Sequence, residues 1–397
     1  MRAASIVLRL CGLVSGLVDG RRISLIAALV EALVRNGRLG LTALGRALDS
    51  AAAVKHRIKR VDRLLGSARA QREVPAWYGA LARRVLAQNR RPILLLDWTK
   101  SAGSFYALVA AVAFQGRALP IFAEVHASRL LGNPRVQERF LASLAQVLPP
   151  DTKPILVADA GFKTPFFNAC LARGWDFVIR LRGACALLKP DWRRTIPFAA
   201  AFEAATSSPR DLGRCVPYAK SLWPLHRVIL GAKPTKQKRS WHDPYRRRAI
   251  EPWLLATTLE QETPRVIVSI YAKRMQIEET FRDAKNARFG WALEHARSHN
   301  ARRQDILFLI ACLALAAALL AGAAAEDAQL SLALQANSVR NRRVLSLFRV
   351  GAWVLAESTA AIPLGAITKQ RQLLARYVHH PLQLRLPLTR KTRGSWR

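Results

Sequence analysis

The sequence predicts a mixed α/β domain preceded by a small all-helical region, on three observations. From Arg91 to Arg182, short apolar runs alternate with helical patterns, the arrangement of an α/β sheet flanked by helices. Before that, the first ~85 residues show apolar positions at helical spacing only. The chain also has 397 residues and is 51% hydrophobic, enough for a large core and two or three domains.

Taken in order, Ile23–Asn36 reads as a helix, with Gly37 and Gly40 as stop signals. Leu41–Leu48 and Val54–Leu65 follow as shorter helices. The second of these sets Lys55, Arg57, Lys59, Arg60 and Arg63 around an apolar stripe of Val54, Ile58, Val61 and Leu65. Such a pair could lay a basic face on DNA, and phosphate contact is expected there ahead of base reading. Pro92–Leu96 is a buried strand with Asp97 at its exit. Ser104–Phe114 and Ala118–Val125 form a hairpin across Gln115-Gly116-Arg117. A helix over Val136–Leu148 leads to a strand at Pro154–Ala158, again followed by an acid, Asp159. A helix near Pro165–Arg173 and a strand at Asp176–Arg182 complete the alternation. Residues 183–251, rich in Pro, Trp and Arg, read as a β-rich insertion with a mobile basic loop at Lys233–Arg248. Trp253–Thr257 resumes a strand, and Thr263-Pro264 offers a cap and first residue for one long helix. The β-branched Val266-Ile267-Val268 leaves a strand as the alternative for its first turn.

Charge narrows the partner. Lys and Arg number 63 against 26 Asp and Glu, a formal net charge of +37, which calls for a polyanionic partner, most often nucleic acid. The five cysteines are scattered and lack C-x-x-C spacing, which argues against a zinc site or disulfide framework and fits a reducing cytoplasm. Ile306–Ala325 is 20 residues without a charge, long enough to span a bilayer. A buried core helix explains the run equally well, and no membrane partner is expected.

Tyr271–Lys285 (YAKRMQIEETFRDAK) carries the densest chemistry. On one continuous helix Tyr271, Arg274, Glu278 and Lys285 fall at about 0°, −60°, −20° and −40°. An aromatic, two cations and one carboxylate thus share a ~60° stripe roughly 21 Å long, suited to reading an anion. An ordinary solvated face with i,i+4 pairing is the alternative. Asp97, Asp159 and Glu278 each stand out in a chain poor in acids. Three carboxylates brought together raise one another's pKa, and a divalent cation is the usual reason to assemble them. Carboxylate oxygens suit Mg²⁺ or Mn²⁺, and two such ions about 3.5–4 Å apart support phosphodiester cleavage.

These residues resemble a known family. Tyr271-x2-Arg274-x3-Glu278-x6-Lys285 is similar to the Y-R-E-K signature of insertion-sequence family four transposases, within the DDE group. Asp97-Trp98-Thr99 resembles that family's first-acid motif, and Asp159-Ala160-Gly161-Phe162 its D-x-G-F second-acid motif. Phe177–Arg182 resembles the strand that follows, and the match runs from about residue 91 to 310. Met275 departs from the tryptophan the family often has there. The resemblance implies a ribonuclease H-like core interrupted by a β-rich insertion, placed after a helical DNA-binding domain. The expected boundaries are 1–85, 86–375 with the insertion at about 183–255, and a basic tail over 376–397. It implies that Asp97, Asp159 and Glu278 are catalytic and hold two Mg²⁺ or Mn²⁺ ions, with Glu278 preferred over Glu279. Tyr271, Arg274 and Lys285 would contact phosphates at the transposon end. Trp253 would stack on a flipped base, a core tryptophan being the alternative. The implied activity is metal-dependent end cleavage followed by transfer of the 3′-hydroxyl into target DNA, by a likeness to cut-and-paste transposases. The implied partners are terminal inverted repeats, target DNA and a second subunit in the synaptic complex. The competing readings are a non-catalytic basic DNA-binding protein and an inactive transposase relic.

Overall fold

The computed structural model describes residues 2–372 apart from 88, 184–185, 190–194, 219–225, 233–250, 289, 297, 337, 340, 358–364 and 371. The expected loop at Lys233–Arg248 and the tail at 376–397 lie outside the described residues.

Five helices come first: α1 (Ala3–Leu10), α2 (Gly20–Asn36), α3 (Leu41–Ala47), α4 (Val54–Gly66) and α5 (Ala68–Leu86). Asp19 caps α2 by accepting the Arg21 N–H, and Gly37 closes it in the left-handed conformation (φ 67°). Helices α3 and α4 cross closely at Gly45, where a Cβ would stand 2.6 Å from the Ile58 Cα.

The sheet follows. Strands β1 (Ile93–Lys100), β2 (Phe105–Phe114) and β3 (Arg117–Ala127) form an antiparallel meander. Gln115 (φ 48°) and Gly116 (φ 86°) make the two-residue turn between β2 and β3, the geometry in which both central residues are left-handed. Helix α6 (Pro134–Val147), β4 (Ile155–Ala158), α7 (Thr164–Leu171) and β5 (Asp176–Leu181) come next. β4 lies parallel to both β1 and β5, and Leu94, Leu95, Leu96 and the whole of β4 are buried, as a doubly covered parallel core requires. The expected insertion contributes β6 (Ala186–Leu188), β7 (Thr195–Pro197), α8 (Phe198–Glu203), β8 (Arg210–Tyr218) and β9 (His226–Leu230). Strand β10 (Leu254–Thr257) joins β9 to β5, both antiparallel. The insertion therefore prolongs the main sheet, which among the described residues runs β3-β2-β1-β4-β5-β10-β9-β8-β6-β7.

One expectation needs correction. The helix opening at Thr263-Pro264 is not continuous through Lys285: α9 (Pro264–Ala272) and α10 (Met275–Lys285) are separate. Thr263 does cap α9, accepting the Val266 N–H, and Pro264 opens it, so the strand alternative falls. The break lies at Lys273-Arg274, whose N–H groups donate three residues back, to Ile270 and Tyr271. That tightened turn shifts Tyr271 off the helical register shared by Glu278 and Lys285.

Helix α10 is held by the β2–β3 turn. Gln276 accepts the Gly116 N–H at 3.2 Å. Thr280 accepts the Ala118 N–H at 2.7 Å and donates to the Ala118 carbonyl at 3.0 Å. Asp283 pairs with Arg117 at 2.6 Å. Residues at i, i+4 and i+7 thus satisfy the edge of β3 and leave Glu278 on another face.

Helix α11 (Ala301–Asp327) is long and apolar enough to cross a membrane, and its whole apolar window is buried inside the protein. It packs against β3, α2 and α5. The short α12 (Leu330–Ala333) follows, and α13 (Leu347–Ala356) covers the far side of α11. Near its start, Asp305 accepts the Val125 N–H at 2.8 Å. Burial pushes this carboxyl up to about 7. Because that value lies above the unfolded one, the folded state holds an extra proton between about pH 4 and pH 7, and the associated stability is lost as pH rises through that window. Asp305→Asn, whose amide oxygen can still accept the Val125 N–H, should remove the loss. Urea unfolding is expected to show the variant more stable than wild type by on the order of a few kcal/mol at pH 8, with no difference near pH 4.

Candidate active site

The two aspartates meet through strand register. Leu96 pairs with Ala158 in the parallel β1–β4 ladder, so Asp97, still in β1, and Asp159, just past the end of β4, are the next residues along. Asp97 does not end its strand, as the sequence suggested: β1 runs on to Lys100 because Lys100 still pairs with Tyr106 of β2. It does lie where the parallel pairing stops. Backbone N–H groups orient both side chains. Asp97 accepts from Trp98 and Asp159 from Gly161, each at 2.8 Å. A Cβ at Gly161 would stand 3.0 Å from the Asp159 Oδ1, so the glycine admits this close turn.

Arg274 links the third acid. One of its guanidinium nitrogens donates to the Asp97 Oδ2 at 3.2 Å and another to the Glu278 Oε1. The side chain is only 10% exposed. Burial pushes the Asp97 carboxyl up to about 7; Arg274 pulls it down, and the Asp159 and Glu278 carboxylates push it further up. Burial works against the Arg274 charge, but Tyr271 and the carboxylates of Asp97, Glu278 and Asp159 raise its pKa overall. Asp97, Asp159 and Glu278 therefore share one electrostatic site.

The other expected residues are placed unequally. Tyr271 is buried, its phenol pKa raised by desolvation, and Arg274 lies 6.0 Å from its ring centroid. Trp253 is half-buried and meets Tyr271 edge to face, centroids 4.9 Å apart. Lys285 pairs with Glu294 at 3.4 Å, and Lys100 approaches the same glutamate at 4.0 Å. The even outward stripe that periodicity suggests is not formed, since Tyr271 and Arg274 turn inward and only Glu278 and Lys285 remain partly exposed. On α4, Lys55, Lys59 and Arg60 are exposed. Arg57 donates to the Leu48 carbonyl at 2.6 Å and ties α4 to the end of α3. Sequence reasoning overlooked Gln276, Thr280 and Asp283, whose polar i, i+4, i+7 spacing looks like a solvated face.

Among the described residues, no three His, Cys, Asp or Glu side chains are close enough together to hold one ion. The Arg274 guanidinium stands between Asp97 and Glu278 and is itself the cation on which they converge. The acids here are all carboxylates, and burial, more than their mutual repulsion, raises the Asp97 pKa. Carboxylate oxygens are the donor type that suits a hard divalent cation, although the three acids are not drawn together around one point.

No curated protein matches the chain. The family model described as the transposase DDE domain matches residues 89–315, a span that takes in Asp97, Asp159 and Glu278. It covers more than half of the sequence, and the protein belongs to the transposase DDE domain family.

Proposed function

We propose that this transposase, which acts on DNA, cuts the ends of its element and joins the freed 3′-hydroxyls to target DNA, as a member of insertion-sequence family four. The reading includes a ribonuclease H-like core over 86–375, interrupted at about 183–255, and a helical DNA-binding region over 1–85. The carrying observation is the Leu96–Ala158 register, which sets Asp97 beside Asp159, together with the Arg274 bridge from Asp97 to Glu278.

In the first step a water oxygen bonds to phosphorus at the end of the element. The bond from phosphorus to the element's 3′ oxygen breaks, and that oxygen takes up a proton. In the second step the 3′-hydroxyl bonds to a target phosphorus and displaces the target's own 3′ oxygen. Asp97, Asp159 and Glu278 would hold two Mg²⁺ or Mn²⁺ ions, which supply charge neutralisation at the reacting phosphate and acidify bound water. Arg274, which bridges Asp97 and Glu278, would offer its planar fork to a phosphate oxygen. Lys285 exchanges Glu294 for phosphate at the transposon end, and Tyr271 positions Arg274 from below. Trp253, half-buried, would stack on a displaced base. Lys55, Lys59 and Arg60 extend the phosphate contacts, Arg57 bracing their helix. Two subunits bring the two ends together.

The test begins with the inverted repeats that flank the coding region. Incubated with a duplex carrying them and Mg²⁺ or Mn²⁺, the wild-type protein is expected to leave a 3′-hydroxyl at the terminal nucleotide of the repeat. Tight binding without cleavage would favour a purely DNA-binding role.

A further inference from the structure

Beyond Lys285 the chain folds into a pinned loop. Gly290 N–H donates to the Asn286 carbonyl at 2.9 Å, and Leu39 N–H donates to the Trp291 carbonyl at 2.9 Å. A Cβ at Gly290 would stand 1.8 Å from the Asp283 carbonyl oxygen, so this path admits only glycine. The contact clamps the loop after α10 onto the loop after α2.

Three hollows adjoin around it. One of about 500 Å³ and one of about 360 Å³ share Arg38 and Ala287 as walls. The second and a third, of about 600 Å³, share Arg349 and Trp353. Together they form one groove along the C-terminal end of the helix that carries Glu278. Arg35 and Arg288 also line its middle. Trp353 is 39% exposed on α13, large for an apolar side chain among arginines. The described lining carries Arg35, Arg38, Arg117, Arg288 and Arg349 against Asp283, and Glu357 follows the wall residue Ala356. Asp283 is neutralised by Arg117 at 2.6 Å, and Arg35 meets Glu31 and Asp49 only at 3.9 and 4.0 Å. The groove is therefore cationic, with one aromatic ridge, and complements a polyanion that presents flat apolar surface between its charges.

We propose that this groove holds the transposon-end duplex beside the cleavage position, with its arginines on the phosphates and Trp353 against the sugar edge. The inference rests on the transposase reading above and adds a second, non-catalytic grip on the same DNA. It commits to the transposon side because that arm must stay bound through both cleavage and joining.

The test uses the full-length protein and an end duplex, with binding followed over a salt series. Arg35→Ala/Arg38→Ala should lower the slope of log affinity against log salt by about 2, and weaken binding roughly tenfold or more near 0.1 M salt. Trp353→Ala should weaken binding several-fold with the slope unchanged, since it removes a contact without a charge. Both effects should persist on a pre-cut duplex lacking flanking DNA. Wild-type binding with no change in slope or affinity in either variant overturns the groove assignment alone. Effects that vanish on the pre-cut duplex overturn its assignment to the transposon side. Failure of the wild type to bind the end duplex overturns the transposase reading and this inference with it.

Discussion

Asp97→Asn, Asp159→Asn and Glu278→Gln should each reduce end cleavage by at least ~10³-fold, the order expected when a group that organises transition-state charge is lost, while end binding stays within a few-fold of wild type. The substitutions are nearly isosteric. An amide oxygen at 97 or 159 can still accept the Trp98 or Gly161 N–H that orients each side chain, so the local fold should persist. With no divalent metal added, removing a negative charge beside the phosphates should leave binding unchanged or tighter. Asp97→Asn has a further signature. Its carboxyl lies at about 7, chiefly through burial, so in the metal-free protein it costs stability above that pH and nothing below about pH 4. The asparagine variant should therefore unfold at higher denaturant concentration than wild type at pH 8. Single-turnover cleavage beside gel-shift binding measures the first effect; retained Mg²⁺-dependent cleavage in any of the three would remove that residue from the site.

Gly351→Ala should be the most damaging substitution to the fold itself. Where α11 and α13 cross, their backbones touch. A Cβ at Gly351 would stand 1.7 Å from the Ala318 carbonyl oxygen, and one at Gly322 2.0 Å from that of Leu347. Neither obstacle is a side chain that can rotate away, so the helices must separate. Their separation would also open the edge-to-face contact of Trp291 with Phe348, whose centroids are 4.8 Å apart. A loss of roughly 3 kcal/mol or more is expected, at the upper end of overpacking costs. The variant should aggregate on mild heating as the apolar length of α11 becomes exposed. Gly20→Ala, at the start of α2 with nothing within 4 Å of its Cβ, serves as control and should be neutral or slightly stabilising in urea unfolding.

The features legible in the sequence are those governed by short-range rules. Asp97 and Asp159 stand out because each follows an apolar run in a chain poor in acids. The Gln115-Gly116 turn and the Thr263-Pro264 helix start declare themselves through backbone preferences of single residues. Other features depend on distant partners. The break at Lys273-Arg274 is invisible to periodicity, because both sides keep an apolar face. The inward turn of Arg274 follows from acids 177 residues and 4 residues away, and the first of these has no local trace. Likewise Thr280 serves the edge of β3 across 162 residues. The strands of the insertion read as a separate module because nothing near Arg210–Leu230 shows that β9 will pair with β10 and so extend the main sheet.

If Asp97, Asp159 and Glu278 surround one metal site, a redox-active ion bound there should mark all three. Fe²⁺ bound in place of Mg²⁺, with ascorbate and peroxide, generates short-lived radicals that cut the polypeptide close to the ion. Fragment mapping on the DNA-bound protein should give cuts near residues 97, 159 and 278 together, suppressed by excess Mg²⁺ and lost in Asp97→Asn. Mg²⁺-sensitive cuts clustered elsewhere, or cuts unchanged in that variant, would contradict it.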